Sequence, residues 1–253
     1  MVMSDAAAAA AIARDAGDVL LAVRDGFDDS VEGKARGKAG DAAAQERIAA
    51  ILAERFPDDA VLSEEATDSD ARLSANRVWI IDPLDGTREY AEGSPEWAVH
   101  VALWQDGDLT AGAVAIPSED LVLDTDSVTP PPASAGRLRL AVSRSRPPEI
   151  TEAVRAGLDA ELVPMGSAGV KIAAVIRGHV DAYVHAGGQY QWDSAAPVAV
   201  ARAAGLHTSR IDGSPLLYND ADPYLPDLIV CRPELASKIL DLMTGNTDRG
   251  DLS

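Results

Sequence analysis

Apolar residues between Asp5 and Asp25 recur three and four positions apart, at Ile12, Ala16, Val19, Leu20 and Val23. That spacing lays them on one face of a helix, and Gly26 follows as a stop signal. Residues 28–40 lose the period. Glycines at 33, 37 and 40 alternate there with Lys34, Arg36 and Lys38, which predicts a charged, mobile loop. Asp41 then stands where an N-cap would open a second helix running to about Arg55. From residue 60 the pattern shortens into apolar runs of strand length: 60–62, 78–81, 97–104, 109–116 and 121–123. Gln105-Asp106-Gly107-Asp108 joins two of them as a hairpin, because Asp-Gly supplies the backbone a tight turn needs.

The second half alternates strand and helix more regularly. The pattern predicts a strand at 137–143, a helix opened by Pro147-Pro148, a strand near Leu162 and a helix over 168–177. A strand at 180–184, a helix from Ser194 to Ala204, a strand at 228–231 and a helix after Pro233 complete it. Between the halves, residues 126–136 with Pro130-Pro131-Pro132 read as a boundary. The expected organisation is two lobes, 1–132 and 133–253, sharing a cleft, with sheets between helical layers.

Composition narrows the partners. Forty-one acidic against 22 basic residues leave a formal charge of −19, which disfavours any nucleic acid polymer, since that binding needs cations to neutralise phosphates. No apolar run reaches the ~18 residues of a membrane span, and no basic leader precedes one, so a cytoplasmic location off the membrane is expected. A single cysteine, Cys231, excludes an internal disulfide, and its place at the end of an apolar run reads as a buried, inert thiol.

The chemistry concentrates at Trp79-Ile80-Ile81-Asp82-Pro83-Leu84-Asp85-Gly86-Thr87-Arg88. A buried strand is expected to stop at Pro83 and deliver two carboxylates onto a glycine turn. Clustered carboxylates at a strand end are costly unless a hard cation neutralises them, so Asp82 and Asp85 form a candidate Mg²⁺ platform, with Gly86-Thr87 beside it for a phosphate. Glu64 and Glu65 follow another short strand. Gly166-Ser167-Ala168-Gly169 is a small-residue turn entering a helix, suited to an anion. Asp193 opens a further helix, where its carboxylate caps the helix or binds a metal. Singly, each has an ordinary alternative: a solvated turn, a surface charge, a cap. Together they converge on a metal platform with a place for a small phosphate-bearing anion beside it.

These motifs resemble the inositol monophosphatase superfamily of Mg²⁺-dependent, Li⁺-sensitive phosphatases, from the first helix to about Cys231. Asp-Gly-Thr-Arg-Glu-Tyr at 85–90, Gly187 to Ala196 and Tyr224-Leu225-Pro226-Asp227 are similar to the CysQ-type branch, which hydrolyses 3′-phosphoadenosine 5′-phosphate to AMP and phosphate. The resemblance implies an α+β, layered αβαβα fold of the sugar-phosphatase type, its two lobes sharing a metal-lined cleft, and a homodimer. It implies that Glu64, Asp82 and the Leu84 carbonyl bind one Mg²⁺, that Asp82, Asp85 and Asp193 bind a second, and that a third lies near Glu64. Glu64, Thr87 and Asp41 would be catalytic, Thr87 and Asp41 orienting the attacking water. Asp85, Gly86, Thr87, Arg88, Gly166, Ser167, His185 and Asp193 would contact a small anionic phosphomonoester substrate. Inositol 1-phosphate or fructose 1,6-bisphosphate remain alternative substrates of the same site, and an acidic Mg²⁺- or nucleotide-binding protein without turnover is the non-enzymatic alternative. Arg88 is expected to touch the anion; His185 either meets an adenine or simply ends a strand; His100 is expected to be structural.

Overall fold

The computed structural model describes residues 3–27, 33–145, 147 and 149–250, with side chains to residue 245. Helix α1 (Asp5–Asp25) is capped by Ser4, whose hydroxyl accepts the Ala7 N–H at 3.1 Å. Helix α2 spans Gly33–Arg55, so 33–40 is not a loop; the remainder of that predicted loop, 28–32, lies outside the described residues. Tertiary packing overrides the weak helix propensity of the glycines. A Cβ at Gly37 would stand 3.0 Å from Thr87 Cγ2, and one at Gly40 would stand 2.8 Å from the Tyr90 ring. Both glycines therefore admit neighbouring side chains against the helix. Asp41 consequently sits inside α2 rather than capping it, buried and facing the protein.

Strands β1 (Ala60–Ser63), β2 (Arg77–Asp85), β3 (Ala98–Gln105), β4 (Asp108–Ile116) and β5 (Leu121–Asp124) form one sheet in that order. The β1–β2 pair is parallel and the rest are antiparallel. At the β3–β4 hairpin Asp106 and Gly107 have φ of 51° and 99°, the two positive values a tight primed turn requires.

Strand β2 does not stop at Pro83. It pairs on to Asp85 through a bulge, with Asp82 opposite His100 and Asp85 opposite Ala98. Proline suits a bulge because the extra residue needs no ladder donor. The bulge also has a chemical consequence. Residues three apart in a regular strand point to opposite faces, and one extra residue returns Asp85 to the side of Asp82.

The second sheet contains β6 (Arg139–Ser143), β7 (Glu161–Met165), β8 (Ala182–Tyr190), β9 (His207–Ser209) and β10 (Tyr224–Cys231), ordered β7-β6-β8-β10-β9. Its helices are α4 (Ile150–Leu158), α5 (Ala168–Ile176), α6 (Ala195–Ala203) and α7 (Pro233–Gly250), with α3 (Thr87–Ala91) following β2 in the first half. Pro148, expected to open α4, lies outside the described residues. Strand β8 runs to Tyr190, well beyond the apolar stretch, and β9 carries no apolar run; both are held by pairing with β10.

Three cores define five layers. Trp79, Ile81, Val99, Val101 and Leu103 face α1 and α2. Val78, Ile80, Ala102 and Val114 face the other way, meeting α5, α6 and one face of the second sheet. Val184, Ile229 and Cys231 on that sheet's outer face pack on α4 and α7. The order helices, sheet, helices, sheet, helices follows from period-two alternation in strands buried on both faces. Asp82 continues the 78, 80 series, so its carboxylate faces the central layer where α5 and α6 begin.

Candidate active site

Asp82 and Asp85 end β2, and Asp193 closes the short turn Gln191–Asp193 between β8 and α6. Each offers a carboxylate oxygen within 4.8 Å of the others. Burial, then the charges of Asp85, Glu64, Asp193 and Asp41, raise Asp82 well above the ordinary carboxylate range. Burial raises Asp193 to about 7, with Asp85 and Glu64 adding to it, although the Tyr190 N–H donates to its Oδ2 at 2.6 Å. Asp193 does not cap the helix it precedes, whose N-cap is Ser194; one of its oxygens closes its own short turn and its carboxylate lies in the triad. The excess negative charge is what a divalent cation would relieve, and an all-oxygen donor set suits a hard one such as Mg²⁺.

Glu64 lies just past β1, its N–H on the Ile81 carbonyl at 3.3 Å. Its outer side is exposed and it is not within the 4.8 Å triad. Its carboxyl is nonetheless crowded by protein and by Asp41, Glu65 and Asp85, which push it up to about 7. Leu84 donates its N–H to Asp82 Oδ1 at 3.0 Å, while its carbonyl accepts the Thr87 hydroxyl at 3.0 Å. Thr87 also reaches Asp41 Oδ2 at 3.2 Å. The other Asp41 oxygen is buried with no hydrogen-bond partner among the described residues, and burial followed by the Glu65 charge raises this acid to about 7. The Thr87–Asp41 pair therefore forms, from the interior of α2 and the start of α3.

The turn Gly166 to Gly169 does receive an anion, and that anion is Asp85. The Ser167 hydroxyl donates to Asp85 Oδ2, joined by the Gly169 N–H at 2.6 Å and by Ala168 N–H on Oδ1 at 3.2 Å. Ser167 caps α5 by accepting the Val170 N–H, and it holds a positive φ of 48°. That unfavourable backbone persists because cap and carboxylate both fasten it. The Gly166 N–H is taken by Glu96 at 2.6 Å. Gly86 has φ of +87°, and a Cβ there would press on the Glu96 carbonyl at 3.0 Å. Arg88 makes an exposed pair with Glu92 at 2.9 Å. His185 is half-buried, its Nε2 3.1 Å from the Gly188 carbonyl.

Two buried groups carry more than their sequence positions indicated. His100 sits between Asp85 Oδ2, 3.4 Å from Nε2, and the Trp192 carbonyl, 3.2 Å from Nδ1. Burial lowers its pKa, and its Nε2 has no hydrogen-bond partner among the described residues. Its parity with Ala98 and Ala102 on β3 was the available signal. Lys171, on an otherwise apolar helix, lies buried with its ammonium 5.2 Å from the Tyr183 ring centre and 3.5 Å from the Gly166 carbonyl. A lone cation in α5 was its signal.

The chain that carries this triad, and its layered frame, are similar to known proteins. The profile of the inositol monophosphatase family matches residues 3–243, and the chain belongs to this family. The 3′-phosphoadenosine 5′-phosphate phosphatase of Mycobacterium leprae is 49% identical over 257 aligned positions, covering 95% of this chain and 94% of that protein. The protein of the same name from Mycobacterium bovis is 52% identical over 238 positions, covering 89% and 88%. The crystal structure of CysQ from Bacteroides thetaiotaomicron, a bacterial member of the inositol monophosphatase family, has a TM-score of 0.82 at 28% identity, covering 91% of this chain and 97% of that one.

Proposed function

We propose that this metal-dependent phosphatase removes the 3′-phosphate of 3′-phosphoadenosine 5′-phosphate, giving AMP and phosphate and so recycling a by-product of sulfate assimilation. The observation that carries this reading is a single conjunction: the Asp82, Asp85, Asp193 triad beside Thr87 and Asp41, in a chain half identical to the mycobacterial phosphatases of that name. In this reading Asp82, Asp85 and Asp193 hold Mg²⁺, with Glu64 and the Leu84 carbonyl completing the ligands of two or three ions. Bound Mg²⁺ supplies positive charge to acidify a water and to stabilise the leaving oxygen.

The remaining work falls to the chain itself. Thr87 has one proton and two acceptors in reach, so a lone pair on its oxygen stays available to a water whichever acceptor it serves. Asp41 accepts the hydrogen bond of the Thr87 hydroxyl and so turns that lone pair toward the water. Ser167 and Gly169 hold Asp85 still, and Gly86 and Thr87 present backbone N–H groups to the phosphate. Arg88 leaves a weak exposed pair to meet the anionic substrate, and His185 lines its far side. The enzyme works in the cytoplasm as a homodimer, each chain divided into lobes 1–132 and 133–253 across the cleft. Among the described residues no helix is long and apolar enough to cross a membrane.

The test is phosphate release from 3′-phosphoadenosine 5′-phosphate, inositol 1-phosphate and fructose 1,6-bisphosphate in Mg²⁺, with and without Li⁺. The expected result is a preference for the nucleotide, abolished by Li⁺. Preference for inositol 1-phosphate overturns the substrate, and no hydrolysis of any of the three at saturating Mg²⁺ leaves a binding protein.

A further inference from the structure

Aromatic residues make up 4% of the chain, yet three of them meet at one edge of the candidate site. Tyr190 stacks on Trp192 with ring centres 4.8 Å apart and planes 11° from parallel. Tyr224 stands edge-on to Tyr190, at 6.3 Å and 83°. Tyr190 and Tyr224 are each 48% exposed, and among the described residues they are the aromatic members of the exposed large apolar side chains. They stand on a protein with a formal net charge of −19.

The stack begins at the triad. The Tyr190 N–H binds Asp193 Oδ2, and the Trp192 carbonyl faces His100, whose other nitrogen faces Asp85. The indole covers one side of Tyr190 and Tyr224 an edge, yet Tyr190 stays 48% exposed, three residues before Asp193. The platform is also pre-organised. Tyr190 and Tyr224 are directly opposed in the β8–β10 ladder. Gly188, at φ +85°, leaves room for the Tyr224 ring, since a Cβ there would come within 2.3 Å of its hydroxyl. Stacking on such a face needs no charge, which matters where a net charge of −19 repels a polyphosphorylated ligand.

We propose that Tyr190, backed by Trp192 and flanked by Tyr224, is the surface on which the base of a nucleotide substrate stacks while its phosphate lies over Asp82, Asp85 and Asp193. This rests on the proposed nucleotide phosphatase activity and deepens it, making Tyr190 a specificity-determining residue. The competing explanation is a cross-strand aromatic pair that only stabilises the sheet.

Tyr190→Ala, Tyr190→Phe and wild type are compared in Mg²⁺ on 3′-phosphoadenosine 5′-phosphate and on glycerol 2-phosphate, which has no base, with AMP binding followed by calorimetry. In Tyr190→Ala the ratio of kcat/KM for the nucleotide to that for glycerol 2-phosphate falls by about tenfold, through KM, and AMP binds about tenfold more weakly. Tyr190→Phe, which keeps the ring, restores both; Tyr224→Ala gives a smaller loss in the same direction. An unchanged ratio with only a lower Tm overturns the proposal, as does a Phe variant as impaired as Ala. Should wild type fail to hydrolyse the nucleotide, the proposed function falls, and AMP calorimetry alone decides the platform: weakened binding in Tyr190→Ala sustains it and unchanged binding overturns it.

Discussion

Without a bound cation the acidic site carries an electrostatic load, and its size follows from Asp41. Burial and the Glu65 charge raise this acid from 3.8 to about 7. Between those values the folded chain holds a proton that the unfolded chain has released. Stability is therefore fully present below the unfolded value and is lost as pH rises through 7. A shift of roughly three units, at 1.36 kcal/mol per unit, corresponds to about 4 kcal/mol for this one group. Glu64 and Asp193 are shifted the same way, but all interact, so their contributions do not simply add. For a chain of this size about 4 kcal/mol corresponds to a fall of roughly 10 °C in Tm.

Thermal melts in EDTA at pH 4, 5, 6, 7 and 8 should show most of that fall, spread evenly between pH 4 and 7 and levelling off above pH 7. With saturating Mg²⁺ the fall should shrink, because the cation binds the ionised carboxylates of the folded state and is opposed by protons at low pH. The Tm gain from Mg²⁺ thus grows with pH. Asp41→Asn removes one titrating group and should flatten the EDTA series. A metal-free Tm that stays level or rises from pH 5 to 8 would refute the reasoning, as would an identical slope in Mg²⁺ and in Asp41→Asn.

Thr87→Ala should lower kcat at least a hundredfold while Mg²⁺ binding, measured by calorimetry, persists, since the hydroxyl touches Asp41 and the Leu84 carbonyl and not the triad. Asp82→Asn should cost far more activity than Glu65→Gln in the same phosphate-release assay, because Asp82 lies in the triad and Glu65 does not. Gly169→Ala should destabilise by about 1–3 kcal/mol in urea unfolding, its new Cβ arriving 2.0 Å from His100 Nε2 in a packed wall. Cys231, buried with its thiol pushed up to about 12, should resist Ellman's reagent in the native protein and react once on unfolding.

Much of the site was legible because carboxylates in unusual places betray themselves locally. Asp82, Asp85 and Asp193 stand out in sequence as acids at the ends of apolar segments, and the structure gathers them. Other features had no local signal. The helix over 33–40 looked like a loop because its glycines lower intrinsic propensity, and only their contacts with Thr87 and Tyr90 explain them. The bulge at Pro83 arises from pairing between β2 and β3, which a single strand's sequence cannot express. The anion cradle at 166–169 was visible as a cradle, but its occupant, Asp85, lies 82 positions earlier than Ser167.

By itself the sequence determined the elements whose cause is periodic or steric: α1 and the strands of the first sheet from their apolar spacing, the hairpin from Asp106-Gly107, and the acids available to a cation. Tertiary structure decided which groups act on one another. It turned Asp85 to the same side as Asp82, placed Asp41 behind Thr87, wedged His100 between Asp85 and Trp192, and stacked Tyr190 at the rim. The physical reason is range. Helix period, turn geometry and strand alternation are set within a few residues, whereas the desolvation and charge repulsion that give this site its chemistry exist only after distant segments share one buried volume.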